Sequence, residues 1–251
     1  MAVQPSVDRR HVSLEGSFNF RDLGGYKVAG GRSVRWRRLF RADGLHRLTE
    51  ADLDRLVELG LRTVIDLRTV DEVEERGRIE WPAPGLAYHH LPMIDVLPDR
   101  EEMPSWISAS FVAERYTAML GEGGQAVTEA LALLRDPSAY PAVFHCAAGK
   151  DRTGILAAVV LGLLGVSDAD IVTDYALSRA AMARMLEWLR ATHPEVLEQM
   201  ENRTAAIIAA EPETMALFLE RFRLEYGSFE TYARSLGLAA AVTDLRASML
   251  D

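Results

Sequence analysis

Cysteine is almost absent from this sequence, since Cys146 is the single thiol among 251 residues. One thiol excludes a disulfide within the chain, and it also excludes CxxC redox motifs and cysteine-rich zinc sites. The adjacent His89 and His90 form no metal site either, because neighbouring residues of a strand face opposite ways. We therefore expect a protein of a reducing compartment without a thiol-based redox motif or zinc site.

Long apolar runs and excess positive charge are also missing. The most apolar stretch, residues 153–166, is too short to span a bilayer and is predicted to form a buried helix. The first ten residues lack the apolar core of a secretory signal. The net charge of −9 disfavours non-specific nucleic-acid binding. These absences predict a cytoplasmic protein without membrane insertion, and only export by an unconventional route stays open.

Predicted strands and helices alternate through the first two thirds of the chain. Apolar and β-branched stretches predict strands at 36–40, 62–67, 86–93 and 142–146. Helices are predicted at 49–60, 69–77, 108–120, 125–135 and 153–166. The alternation predicts an α/β fold with a central, mostly parallel sheet of four to five strands flanked by helices.

The remainder of the chain, from Ser167 onward, is predicted to be helical. The expected helices lie at 167–190, 195–210, 212–226 and 229–236. No linker-like stretch divides the sequence. We therefore expect one domain, residues 1–251, with a C-terminal helical extension.

The stretch VFHCAAGKDRTG, residues 143–154, places Cys146 where a strand ends and a helix begins. Small residues there let the backbone turn its N–H groups inward, and the helix N-terminus adds positive charge. Arg152 can donate to two phosphate oxygens, and the same field stabilises a thiolate. We therefore interpret the segment as an anion-binding loop with a nucleophile. Its candidate substrate-binding residues are Ala147, Ala148, Gly149, Lys150, Thr153 and Gly154.

This loop resembles the HCxxGxxR[ST] signature of cysteine-dependent protein tyrosine phosphatases. It is most similar to the HCxxGKDRTG loop of the PtpB-like bacterial phosphatases. GSFNFRDLGGY near the N-terminus resembles the NFRDxGG opening of that family. LFRADGLHRLT, VIDLRT, DYALS and YGSFETY match it more loosely and in the expected order. The resemblance covers nearly the whole chain.

The resemblance implies roles for the loop residues and their neighbours. Cys146 would be the nucleophile that forms a phosphocysteine intermediate, and Arg152 would bind the phosphoryl oxygens. His145 would orient the loop, and the Thr153 hydroxyl would assist departure of the thiolate. The resemblance implies a reaction that needs no metal and no cofactor. It also suggests that two further residues, Arg21 and Asp22, support the rim of the site.

The general acid has two candidates, because the leaving oxygen needs a proton from a nearby carboxyl group. We place Asp151, inside the loop, ahead of Asp95, which follows the third predicted strand. Asp22 and Asp66 are interpreted as structural residues that hold arginine side chains or loop amides. Acidic runs such as DEVEERG are interpreted as solvated helix faces.

The implied substrates are phosphotyrosine proteins, with phosphoserine/threonine and phosphoinositides as further members of the range. Lys150 would give acidic substrates a second contact. The alternatives are a phosphatase selective for phosphoinositides or inositol phosphates, a non-catalytic phosphate-binding module and a rhodanese-type sulfur-transfer enzyme. In the PtpB-like family, the region that corresponds to 181–215 forms a helical lid, and we keep that as a hypothesis for this chain.

Overall fold

The computed structural model describes residues 9–82, 84–97, 108–194 and 209–251. Its sheet contains β1 (Arg21–Asp22), β2 (Leu39–Ala42), β3 (Thr63–Asp66), β4 (Ala87–His90) and β5 (Ala142–His145). The strand order is β1-β2-β5-β3-β4, and only the pairing of β1 with β2 is antiparallel. This five-stranded, mostly parallel sheet confirms the predicted fold class. Strand β5 lies at its centre, so the residues that follow β5 emerge between β2 and β3.

The central strands form where the sequence predicts them, and the outer ones differ. Strand β2 begins later than predicted, because Arg37 has a positive φ of 58° and its N–H donates to the carboxylate of Asp22. Strand β4 is shorter than predicted and ends at His90. The two-residue β1 lies in the segment that carries the NFRD motif, and no strand is predicted there.

Helices pack on both faces of the sheet. Those before the last strand are α1 (Glu50–Glu58), α2 (Val70–Arg76), α3 (Ala109–Glu122) and α4 (Gly124–Leu134). Those after it are α5 (Asp151–Leu164), α6 (Asp168–Ala176), α7 (Ser178–Thr192), α8 (Pro212–Tyr226), α9 (Phe229–Ser235) and α10 (Ala239–Met249). Thr49 and Thr69 cap α1 and α2 with reciprocal capping boxes, as their sequences favour.

The predicted C-terminal helical extension is confirmed over the described residues. The stretch predicted as one helix after Ser167 forms α6 and α7, which meet at Leu177 without leaving helical backbone angles. The helix predicted at 195–210 lies almost wholly outside the described residues. Within the described ranges, no helix has the length and apolarity that crossing a membrane requires.

The alternation of strand residues separates two apolar layers. Leu39, Ile65 and Phe144 belong to the larger cluster, which also contains α5 and most other helices. Their neighbours Phe40 and Val64 belong to a smaller cluster with residues of α1. Every residue of α5 after Asp151 is buried, which confirms the prediction of a buried helix. The start of α5 is therefore held rigidly against the sheet.

Candidate active site

The candidate loop, residues 146–151, connects the carboxyl end of β5 to the first turn of α5. Crevices at this edge of a parallel sheet are the usual ligand sites of α/β folds. Cys146 is the first residue after the strand, and only 2% of its surface is exposed. The thiol is therefore almost fully covered at the carboxyl edge of the sheet.

Donors from outside the loop hold its first two carbonyl groups. The carbonyl oxygen of Cys146 accepts from His145 Nδ1 at 3.2 Å. The carbonyl oxygen of Ala147 accepts from the backbone N–H of Gly44 at 3.0 Å. Gly44 follows β2, so the neighbouring strand fixes the loop at this point.

Two side chains hold the next two carbonyl groups. Asn19 Nδ2 donates to Ala148 O at 3.1 Å and to Gly149 O at 3.0 Å. Arg41 Nη2 also donates to Gly149 O, at 2.8 Å. Asn19 comes from the segment before β1, and Arg41 is a residue of β2. These contacts fix the middle of the loop.

The orientation of the N–H groups follows from these four carbonyl contacts. In a trans peptide the N–H points away from the C=O of the same unit. Four consecutive carbonyls, those of residues 146–149, are held by surrounding donors. The N–H groups of residues 147–150 therefore face the opposite way, into the concavity of the loop. This arrangement is a backbone cradle for an anion.

Gly149 makes the sharp curve of the loop possible. Its φ is 67°, in the left-handed region that side chains disfavour. A Cβ atom at this position would lie 2.5 Å from the carbonyl oxygen of Ala42. Both the backbone angle and the packing against β2 therefore require glycine here.

Arg152 is held by Glu72, in the first turn of α2. The two guanidinium nitrogens of Arg152 lie 2.5 Å and 3.0 Å from the two carboxylate oxygens of Glu72. Burial opposes its ionisation, but the charges of Cys146, Glu72 and Asp151 raise the pKa of Arg152. The interpretation of DEVEERG as a solvated face is wrong for Glu72, because this carboxylate is buried against Arg152 and caps its own helix.

Asp151 begins α5, and its side chain is one-third exposed. Its Oδ1 atom accepts from the hydroxyl of Tyr116 at 2.5 Å and lies 3.3 Å from Lys150 Nζ. Tyr116 is buried and hydrogen-bonds to Tyr175. Burial and the Asp151 charge raise the pKa of Tyr116, so this hydroxyl is a donor. The second predicted acid, Asp95, is exposed near the end of a described range.

His145 lies between the loop and a buried carboxylate on β3, and its Nε2 atom has no hydrogen-bond partner among the described residues. Its Nε2 atom lies 3.6 Å from Asp66 Oδ2, and burial lowers the pKa of His145, so the ring is neutral near pH 7. Asp66 pairs with Arg68 at 2.6 Å and accepts from Tyr88 at 2.8 Å. Against the effect of burial, His145 and Arg68 hold the pKa of Asp66 well below its ordinary range. The structural role predicted for Asp66 is confirmed.

A second buried carboxylate, Asp174 of α6, lies on the other side of the loop. It pairs with Arg21 at 3.2 Å and with Arg41 at 2.6 Å, and it accepts from Tyr26. Against the effect of burial, the two arginines hold the pKa of Asp174 well below its ordinary range. Arg21 also hydrogen-bonds to Asn19, which connects the predicted supporting residue to the loop through one side chain.

Asp22 makes different contacts from its neighbour Arg21. The carboxylate of Asp22 accepts from the backbone N–H groups of Gly24 and Arg37, each at 2.7 Å. The role of holding loop amides is therefore confirmed. These two bonds organise the turn that leads to β2, and support of the site rim by Asp22 stays a prediction.

The first turn of α5 contains the last two predicted substrate-binding residues. Thr153 is fully buried, and within the described part of the chain its hydroxyl has no hydrogen-bond partner. The N–H of Gly154 donates to Lys150 O within the helix. A Cβ at Gly154 would lie 3.1 Å from the Tyr175 ring and 3.6 Å from Arg41. Gly154 therefore allows close packing against Tyr175, and its substrate contact stays a prediction.

Four residues that hold the site, Asn19, Arg41, Glu72 and Asp174, are missing from the sequence-based assignment. Three of them lie in the family-like stretches NFRDLGG, LFRADG and DYALS. A charged or amide residue inside such a motif was the available signal. Glu72 had another, because its place three residues after Thr69 fits a capping box and argues against full solvation.

A buried thiol and an arginine on one anion-binding loop, at the carboxyl edge of a parallel sheet, define a cysteine-dependent phosphatase core. The tyrosine phosphatase family profile matches residues 12–251. The chain belongs to this family.

Two curated proteins illustrate the relationship. A Cupriavidus necator protein named as a tyrosine-protein phosphatase is 36% identical over 197 residues, which are 72% of this chain and 70% of that protein. The triple specificity protein phosphatase PtpB of Mycobacterium tuberculosis is 29% identical, over 92% of this chain and 95% of its own. The protein is thus a cysteine-dependent phosphatase of the tyrosine phosphatase family.

Solved structures show a looser likeness. The core catalytic domain of the PP-IP phosphatase SIW14 from S. cerevisiae matches 66% of this chain and 78% of its own. Its sequence identity is 18% and the TM-score is 0.39. The family assignment therefore rests on the sequence relatives.

Proposed function

We propose that this protein hydrolyses phosphotyrosine monoesters through a covalent phosphocysteine at Cys146. The proposal rests mainly on four carbonyl groups of the loop, which are hydrogen-bonded to donors around it. This arrangement turns the N–H groups of residues 147–150 into the concavity of the loop. Arg152, held by Glu72, supplies a fixed guanidinium at the same loop. Donors fixed in this way stabilise charge on the transferring phosphoryl oxygens without reorganisation.

In the first step the Cys146 thiolate attacks phosphorus and the bond to the leaving oxygen breaks. The phosphoryl oxygens accept hydrogen bonds from the cradle and from Arg152. The leaving phenolate takes a proton from a carboxyl group. The products of this step are a phenol and the phosphocysteine.

In the second step water attacks the phosphocysteine and gives its proton to the same carboxylate. The S–P bond breaks, which releases inorganic phosphate and regenerates the thiolate. The buried Thr153 hydroxyl, with its donor uncommitted among the described residues, can stabilise the departing thiolate. Both steps balance with water as the only co-substrate.

Asp151 is our first choice as the general acid. Tyr116 and Lys150 both contact its Oδ1 atom, and the side chain remains one-third exposed on the loop itself. This fixation leaves Oδ2 as the oxygen that can carry a proton toward a substrate. Asp95 stays the second candidate, on the segment that follows β4.

The substrate range we propose is phosphotyrosine first, with phosphoserine/threonine and phosphoinositides after it. The triple specificity named for the mycobacterial relative supports a broad range. Lys150, which we propose as a second contact to acidic substrates, has a 6% exposed side chain beside Asp151. Its headgroup contact would therefore require a movement of this side chain, which makes a lipid-selective enzyme the second choice.

We also propose that residues 1–251 form one phosphatase domain, with 181–215 as its lid. Part of that segment, 195–208, lies outside the described residues. Helix α7 supports the idea, because Arg184 donates to Phe18 O at 2.7 Å and Trp188 packs on the Phe18 ring at 5.8 Å. Phe18 directly precedes Asn19, so α7 contacts the segment that holds the loop.

Turnover of an aryl phosphate in the presence of EDTA tests the proposed chemistry. We expect Cys146→Ser to reduce turnover to the background rate while inorganic phosphate still binds, because the oxygen is a far weaker nucleophile here. Trapping of ³²P on the wild-type chain, and its loss in the variant, would identify the intermediate. Wild-type protein that binds phosphate and never turns over would instead make the chain a phosphate-binding module.

Substrates with different leaving groups distinguish the two candidate general acids, Asp151 and Asp95. We expect Asp151→Asn to lower kcat about 10²- to 10⁴-fold for phenyl phosphate, whose leaving group needs a proton. The loss for an activated aryl phosphate should be far smaller. Asp95→Asn is the matched comparison, and a leaving-group dependence confined to that variant would transfer the role to Asp95.

A further inference from the structure

Arg41 is a fully buried arginine that contacts the middle of the loop from β2. Its Nη2 atom donates to Gly149 O at 2.8 Å, and its Nη1 atom donates to Asp174 Oδ2 at 2.6 Å. The two contacts use different nitrogens of one planar group, so Asp174 fixes the direction in which Arg41 meets the loop. Gly154 packs beside this contact, because a Cβ at that position would lie at van der Waals distance, 3.6 Å, from Nη2.

The charge around Arg41 is unbalanced. Two guanidinium groups, those of Arg21 and Arg41, share the single carboxylate of Asp174. The third partner, Tyr26, is neutral, because burial and Asp174 raise its pKa. Among the described residues, Arg21 and Arg41 therefore carry one positive charge more than their ion-pair partner behind the loop. In a buried site such a charge is weakly screened, and it acts on an anion in the cradle.

An electrostatic interaction between Arg41 and Cys146 also indicates that this cation acts on the site. Burial and Arg21 lower the pKa of Arg41 to about 10, while Asp174 and the Cys146 thiolate act in the opposite direction. Interaction free energies are reciprocal, so a cation that the thiolate stabilises also stabilises the thiolate. At neutral pH Arg41 is charged and able to exert this effect.

We propose that Arg41 is a positioning residue of the phosphatase reaction, which orients the Gly149 peptide toward the bound phosphoryl group and supplies a buried cation behind the loop. Asp174 sets the direction of Arg41, and its pairing with Arg21 leaves the extra charge. This inference rests on the proposed function, because it assigns the loop to phosphoryl binding.

The experiment compares Arg41→Met and Arg41→Lys with Arg10→Met. Arg10 is a matched control: it is buried, its guanidinium stacks on Tyr26 at 3.6 Å, and it donates to the carbonyl of Gly24. For each variant, thermal unfolding, kcat and KM for an aryl phosphate, inhibition by inorganic phosphate and the pH profile of kcat/KM are measured.

We expect Arg41→Met to lower kcat/KM about 10- to 100-fold, the effect of losing one hydrogen bond to a charged group. Inhibition by inorganic phosphate should weaken with it, and the acidic limb of the profile should move to higher pH. Arg41→Lys keeps the charge, so it should restore the acidic limb and recover part of the rate. Arg10→Met should lower the unfolding temperature only.

The proposal is overturned if Arg41→Met and Arg10→Met lose activity only in proportion to their unfolded fraction, with no change in the acidic limb. If Arg41→Met does not fold, Arg41→Lys serves as the test instead. Full activity of Arg41→Lys with an unchanged phosphate inhibition constant would show that the hydrogen bond from Arg41 to Gly149 O does not position the loop. Turnover that persists in Cys146→Ser would reject the proposed function instead, whatever the Arg41 variants do.

Discussion

Asp66 and Asp174 are both buried carboxylates that accept hydrogen bonds from one tyrosine and from arginine. Each lies beside one further side chain that donates to a carbonyl group of the phosphate loop. Asp66 lies 3.6 Å from His145, without a hydrogen bond to it, and His145 donates to the carbonyl of Cys146. Asp174 acts through Arg41, which donates to the carbonyl of Gly149. The two clusters thus hold the beginning and the middle of the same loop, from the strands on either side of β5.

The clusters differ in charge and in how they are assembled. Asp66 and Arg68 are two residues apart and neutralise one another. Asp174 comes from α6 and neutralises only one of the two arginines that reach it from β1 and β2. A local pair therefore builds a neutral support, whereas a long-range cluster leaves a cation beneath the anion site. The same residue types give different electrostatics because their partners differ in number.

The two clusters should differ most in the free energy of unfolding that is lost when each carboxylate is made neutral. Asp174→Asn leaves two buried guanidinium groups without a counter-charge, and we expect it to lower the free energy of unfolding by about 3–5 kcal/mol. Asp66→Asn leaves one, so its loss should lie near the lower end, about 3 kcal/mol. Urea unfolding of both variants measures the difference. Equal losses would contradict the distinction drawn between the neutral and the cationic cluster.

Acid should weaken both clusters in the same direction. The pKa values of Asp66 and Asp174 are lowered in the folded protein from an ordinary value of 3.8. The stability they contribute is therefore complete above about pH 4 and is lost as the pH falls further, because the unfolded chain binds protons first. Unfolding free energies measured on both sides of this pH should fall steeply for the wild type. The slope should be shallower in Asp66→Asn and in Asp174→Asn; an unchanged slope in both would assign the acid sensitivity to other groups.

Removing the hydroxyl group of the tyrosine in each cluster should have the smallest effect on stability. Tyr26 is buried and Tyr88 is half-buried, and they donate to Asp174 at 3.1 Å and to Asp66 at 2.8 Å. We expect Tyr26→Phe to cost about 1 kcal/mol and Tyr88→Phe about 0.5 kcal/mol, since water can replace the lost donor only at the more exposed position. Thermal unfolding of the two variants, with the double variant as a check on additivity, measures this. A larger loss for Tyr88→Phe would show that burial does not decide the order.

Much of the fold could be predicted from the sequence because its signals are local. Apolar, β-branched stretches predicted β3 and β5 within a residue or two, and the predicted starts of α1 and α2 lie within a residue of the observed ones. β1 escaped prediction, because a two-residue strand exists only through its pairing with β2. The start of β2 was wrong for a related reason: the turn at Arg37 depends on Asp22, which is distant in the sequence.

The candidate site was predictable to the extent that it is contiguous. Cys146, Asp151 and Arg152 lie within seven residues of one another, and the family resemblance supplied their proposed roles. Glu72 was misjudged, because a carboxylate in an acidic run acquires its buried partner only when α2 packs beside the loop. The sequence around Arg41 contains no pattern that predicts a hydrogen bond from its guanidinium to Gly149.

The sequence by itself determined a parallel α/β sheet, a buried helix after the central strand and a loop with one thiol and one arginine, since periodicity, capping and spacing are properties of neighbouring residues. Only the tertiary structure decided how the loop is held. Its four carbonyl groups find donors in Asn19, Arg41, Gly44 and His145, three of which are more than 100 residues away. A peptide can turn its N–H groups toward an anion only when its carbonyl groups are satisfied elsewhere, and in this protein those donors come from distant strands and segments.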